Sequence, residues 1–247
     1  MIRYLLSLFI LLGPSLSAQN FNYTVSTTTE TWQELNSQTI LNANNRAWNF
    51  SYKIPVGFPF TFLGRSFDSL TIERNGYVVF DEDRNYAFTA CSNLSDYANN
   101  NGAHAVLGYE LSGANNNHIL KIQFKNLAIG SGDSRKTSYQ IWLKENGSIE
   151  FHAGPTDFRP HFVCMDTTWS PAVDSMIIDS VFTQIDSTIG WRIGLINQNM
   201  NSANNGFFIE GNPDNPFSQQ TDAQHEPAFL LAPPKCGTRY TFSPNAN

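Results

Sequence analysis

Charge is scarce in this chain of 247 residues: Asp, Glu, Lys and Arg together make up 15%, with 15 basic residues against 21 acidic. A soluble domain usually carries about a quarter. The formal net charge is −6, and the few Lys and Arg are scattered rather than clustered. That composition argues against nucleic acid as a partner, because a phosphate backbone needs a concentrated basic surface. Cysteine is nearly absent as well. Cys91, Cys164 and Cys236 are too widely spaced for a compact zinc motif. The histidines (His104, His118, His152, His161 and His225) form no H-E-x-x-H or other close ligand pair, and no G-x-S-x-G elbow is present. The sequence therefore offers no recognisable catalytic motif. Past the first residues, no apolar run approaches the length of a membrane span.

What is present begins with "MIRYLLSLFILLGPSLSAQN". A basic residue at Arg3, an apolar run from Tyr4 to Leu12, a Gly13-Pro14 breaker and small residues up to Ala18 read as a secretory signal peptide over residues 1–18. The run is too short to span a bilayer, and no lipid-accepting cysteine follows it, so a soluble mature chain from Gln19, periplasmic or extracellular, is expected. Losing Arg3 takes the net charge from −6 to −7. The remaining residues, 19–247, show no internal linker and read as one domain.

Their pattern is that of strands. In "IPVGFPFTFLG", Val56, Phe58, Phe60 and Phe62 alternate with Gly57, Pro59 and Thr61, so the rings share one face. A proline in such a strand calls for a free edge or a local break. Leu70 with Ile72, Leu120 with Ile122 and Phe124, Tyr139 with Ile141 and Leu143, Ile149 with Phe151, and Trp191 with Ile193 and Leu195 give further core faces. Asn75-Gly76 and Asn146-Gly147 predict type I′ hairpins, and Asn205-Gly206 a similar turn. "WNFSYKI" and "GFPFTFL" read as separate strands. Residues 81–103 and 154–187 read as long polar loops, and "TETWQELN" as a turn of helix. About a dozen short strands punctuated by Gly, Asn and Pro predict an all-β, antiparallel β-sandwich of jelly-roll-like build.

The segments "YKIPVGFPFTFLG", "SLTIERNGYVVF", "ILKIQFKN", "YQIWLKENGSIEFHAG", "GWRIGLIN" and "PPKCGTRYTF" together resemble a β-sandwich module of secreted and surface proteins of Bacteroidetes, itself similar to the nidogen-like extracellular domain. The resemblance spans most of residues 50–243 and implies a non-catalytic module working outside the cytoplasm. Such modules are often joined to a C-terminal sorting domain for type IX secretion. Asp-Ser and Asp-Thr triplets resemble the O-glycosylation sequence of the same secreted proteins. They point to Thr167, Ser175, Ser180 and Ser187.

Several constellations carry chemistry. Lys121, Gln123, Lys125, Gln140, Trp142, Lys144, Glu150 and His152 face away from the core, which sets Trp142 amid amides and charges if their three strands are neighbours. A flat ring ringed by hydrogen-bonding groups suits a sugar, and Trp142, Gln123, Gln140, Glu150 and His152 form the candidate glycan site. The competing expectation is that a loop covers Trp142. Asp81, Glu82 and Asp83 offer oxygen ligands to Ca²⁺, though an oxygen cage needs six to eight, and an ordinary solvated turn competes. Glu73 and Glu150 are the carboxylates a glycosidase would draw on, against the ordinary exposure of strand carboxylates. In an oxidising compartment three cysteines leave one disulfide and one thiol; loop placement favours Cys91 with Cys164, with three pairings open. Three roles follow: a module binding a glycan or an extracellular protein surface, a structural component of an extracellular assembly, or a carbohydrate-active enzyme on a jelly-roll body. N-terminal sequencing of protein from its native host checks the first step of this reading, with Gln19 as the expected first residue.

Overall fold

Strands form where the sequence alternates, and they assemble into two antiparallel sheets. The computed structural model describes residues 21–42, 51–73, 76–83, 85–90, 94–96, 105–114, 116–129, 136–157, 191–197, 206–221 and 230–245. The first sheet holds β1 (Tyr23–Thr29), β2 (Thr39–Ile40), β7 (Leu94–Asp96), β8 (Val106–Ser112), β9 (Ile119–Ile129), β10 (Thr137–Lys144), β11 (Ile149–Thr156) and β15 (Thr238–Pro244). Its order is β1-β15-β11-β10-β9-β8-β2, and β7 pairs with the end of β9. The second sheet holds β3 (Tyr52–Phe62), β4 (Arg65–Ile72), β5 (Tyr77–Val79), β6 (Tyr86–Thr89), β12 (Ile193–Asn197), β13 (Gly206–Glu210) and β14 (Phe217–Thr221), in the order β14-β13-β12-β6-β5-β4-β3. No helix occurs among the described residues. The expected antiparallel sandwich is found, with consecutive strands mostly neighbours in one sheet: β8 to β11 and β3 to β6 each run as a meander.

The core lies between the sheets and is built from rings. In the first sheet Phe124, Tyr139, Phe151 and Tyr240 form a row across β9, β10, β11 and β15, with centroid separations of 4.5, 5.5 and 6.0 Å. Across the sandwich, Phe88 meets Phe242 edge-on at 5.5 Å and Tyr23 meets Phe62 at 6.2 Å. Each of the inward positions read from the sequence is buried, including Val56, Phe58, Phe60 and Phe62. Burying one such ring contributes roughly 2–3 kcal/mol.

β3 occupies the sheet edge that its prolines call for, and its pairing with β4 is also interrupted, between Pro55 and Phe60. It runs unbroken from Tyr52 to Phe62, so the two strands expected there are one. The hairpin chemistry differs from expectation. Gly147 has φ +85°, but Asn146 is not in the left-handed region; Gly147 N donates to Lys144 O and Lys144 N to Ser148 O. That is a three-residue loop closed by a glycine bulge, not a type I′ turn. Gly76 (φ +78°) is framed by the same two bonds, to Glu73 and from Glu73 to Tyr77. The two-residue turn with both positive φ values is Leu63-Gly64, at 49° and 77°, which no Asn announced. Gly206 is a strand residue; a Cβ there would lie 2.0 Å from the Phe208 ring, so the glycine makes room for that ring rather than turning the chain. The expected loop 81–103 contains β6, four buried residues at the middle of the second sheet, together with β7.

Replacing Gly76 or Gly147 by Val should destabilise by about 1 kcal/mol or more, because a β-branched residue tolerates positive φ poorly. At Gly147 the new Cβ would also lie 3.0 Å from the Thr61 carbonyl oxygen. Urea midpoints are the readout, and a midpoint unchanged in both variants would contradict this account of the turns.

Candidate functional site: the outer face of the first sheet

β10 lies between β9 and β11, with Trp142 opposite Lys121 on one side and Glu150 on the other, and Gln140 opposite Gln123 and His152. The five residues of the candidate glycan site are thus brought together by register alone. What covers them is residues 30–38, an extended strap that leaves β1, crosses the outer face and ends in β2. "TETWQELN" is not helical, since its backbone groups are taken by the sheet beneath. Gln140 Nε2 donates to Gln33 O at 2.8 Å, and Leu35 N donates to Gln123 Oε1 at 3.0 Å. Gln140 Nε2 also donates to Gln123 Oε1, and Gln123 Nε2 to Gln38 Oε1. Two strand glycines allow the approach. A Cβ on Gly154 would lie 2.9 Å from the Trp32 ring, and one on Gly108 2.2 Å from Gln38 Oε1.

Beside these amides lies a network of charges. His152 Nδ1 is 2.5 Å from Glu30 Oε1, and its Nε2 is 3.0 Å from Glu150 Oε2. Lys144 Nζ donates to Glu150 Oε1 at 2.6 Å, and Arg239 donates to Glu30 Oε2 at 3.1 Å. Burial by itself pushes the Glu150 carboxyl up, but the hydrogen bonds and charges of His152 and Lys144 outweigh it and hold the group at about 2. Trp142 is half-buried. Its ring stacks on His152 at 3.9 Å and 27°, Lys121 Nζ sits 4.5 Å from its centroid, and its Nε1 donates to Gln140 Oε1 at 2.8 Å. Since His152 is on β11 and Lys121 on β9, protein side chains flank the indole on both sides.

Between strap and sheet runs a cleft of about 560 Å³, lined by strap residues together with Glu110, Lys121, Gln140, Trp142 and His152. Gln123 and Glu150 are not in its wall; both are buried in the layer beneath. The strap, with Glu30, Trp32 and Gln38, was missed in the sequence. Its signal was the pair of strand glycines, which mark close backbone approach.

The other predicted sites are dispersed. Asp81 Oδ1 accepts from Asn85 N and Tyr86 N, capping its turn, and Glu82 pairs with Lys53 at the surface. Among the described residues no three His, Cys, Asp or Glu side chains are grouped to hold a metal ion. Glu73 belongs to the second sheet, at the β4–β5 turn, and Glu150 to the first, so they do not share a cleft. Cys236 is an exposed free thiol just before β15. Cys91, Cys164, Thr167, Ser175, Ser180 and Ser187 lie outside the described residues.

Fold and face define a β-sandwich module. Residues 22–162, more than half of the chain, match the NIDO-related family, and the chain belongs to it. The family is a type of extracellular, non-enzymatic module. No curated protein and no solved structure matches the chain. The match ends inside the sandwich, since β15, which lies outside it, pairs with both β1 and β11.

The Glu150 carboxyl sits below its ordinary 4.5 in the folded protein, so its contribution to stability is complete above pH 4.5 and is lost as pH falls toward 2. Urea titrations of the wild type and Glu150→Gln should therefore differ well above pH 4.5 and converge near pH 2. A difference independent of pH would contradict the ion-pair network.

Proposed function

We propose that the protein is a non-catalytic extracellular binding module whose ligand is a hydroxyl-rich chain, a glycan, seated in the cleft between the strap and the Trp142 end of the first sheet. The observation that carries this reading is the cleft itself. Its volume falls within the usual range for small-ligand sites, and it combines a half-exposed indole with amides and charges. The charges near it are largely balanced: Lys125 pairs with Glu34 at 2.6 Å, Arg239 with Glu30, and Glu110 faces Lys121 in register. A neutral, hydrogen-bonding wall suits hydroxyls better than a strongly charged polymer.

Trp142 contributes a partly open ring with the flexible stem and ammonium of Lys121 against it. A sugar displacing the ammonium would stack there, with Lys121 and Glu110 at its hydroxyls. Binding assays across plant, bacterial and host polysaccharides test the idea. Trp142→Ala should remove at least about 2 kcal/mol of affinity, as for an anchoring aromatic, while the protein stays folded. Absence of any retained polysaccharide, or binding untouched in a folded Trp142→Ala variant, would overturn it.

A second reading, a component of an extracellular assembly, is favoured by Phe217 and Leu231, which are 57% and 66% exposed. Both border Gly211: Leu231 N donates to its carbonyl, and a Cβ added at Gly211 would lie 3.0 Å from the Phe217 ring.

A further inference from the structure

The two sheets have four edges, and two of the edge strands carry a guard against pairing with another strand: β3 has Pro55, Pro59 and an interrupted register, and β2 is two residues long. β1 has no such guard. Its seven residues, "YTVSTTT", contain no charge, proline or glycine; Thr24 and Ser26 to Thr29 are exposed; and its ladder is to β15 alone.

The bonds at the two ends of this ladder fix which backbone groups are free. Asn245 N donates to Asn22 O, and Glu30 N donates to Gly237 O. Asn22 and Glu30 are therefore in hydrogen-bonded pairs, and in an antiparallel ladder such pairs alternate. Thr24, Ser26 and Thr28 direct their backbone groups to β15, whereas Tyr23, Val25, Thr27 and Thr29 direct theirs to the open edge.

We infer that β1 is a self-association edge that pairs antiparallel with β1 of a second copy of this chain about a two-fold axis at Ser26. In that register Tyr23 faces Thr29 of the partner copy and Val25 faces its Thr27, so all four outward residues meet one another and every free N–H and C=O finds a partner. Thr24 faces Thr28, and Ser26 faces itself in a close, non-hydrogen-bonded pair. An isologous contact sets the residue on the axis against its own copy, so a charge at Ser26 would oppose itself. The strand carries none. Asn22 and Glu30, which meet at each end, do not repel. The product is one continuous sheet built from both first sheets, with the two strap clefts on the same outer face.

Sedimentation equilibrium of the purified protein over micromolar to millimolar concentration tests the inference, and a reversible dimer is expected. Ser26→Lys and Ser26→Glu should each weaken self-association at least tenfold by placing like charges opposite one another. An equimolar mixture of the two should restore dimers. Thr27→Pro removes an outward N–H that β15 does not use, and should likewise give a monomer. Circular dichroism and melting confirm that each variant is folded. A wild type monomeric throughout, or a dimer that survives in folded Ser26→Lys and Thr27→Pro proteins, overturns the inference.

Discussion

Four polar side chains on the outer face of the first sheet, Gln123, Gln140, Glu150 and His152, are buried, and a buried polar group without partners costs about 1–3 kcal/mol or more. Much else in the structure answers that constraint. The two amides take the strap's backbone at Gln33 and Leu35, so the strap is fixed in an extended path. The carboxylate and imidazole take Lys144 and the strap's Glu30, which in turn takes Arg239. Sheet and strap are one hydrogen-bonded layer, in which deleting a single amide leaves several groups unsatisfied.

That layer gives the cleft its character. Walls held by a ring row on the inner side and by amides on the outer side move little, so a ligand would meet a largely preformed site. The indole of Trp142 is held on one side by an imidazole and met on the other by an ammonium, which leaves the movable lysine as the adjustable element.

The fold was legible because its signals are local. Alternation set the faces of β3, β9, β10 and β11, and prolines marked the β3 edge. The five residues of the outer patch were legible for the same reason, since register follows from a hairpin. What escaped was decided by tertiary contact. β6 is only four residues long, and its buried backbone is recognised by neighbours in the sheet rather than by its own pattern. The strap carries acidic and amide residues that suit a helix, but side-chain amides on distant strands claim its carbonyl and N–H groups. The turn at Leu63-Gly64 defeats residue preference outright: Leu seldom adopts positive φ, and the flanking strands impose it.

The pairing of β1 with β15 joins positions more than 200 residues apart, such as Asn22 with Asn245. Closing a loop of that size before any contact rewards it is entropically costly, so this ladder belongs to the late steps of folding. The strap cannot settle earlier than the β9–β10–β11 meander that supplies its amide partners. A chain emerging from its N-terminus must hold β1 and the strap unpaired until the last strand arrives. The cleft therefore comes into being only once the whole sandwich is complete, and a chain lacking its last strand would carry most of the ring core without the strap-covered face.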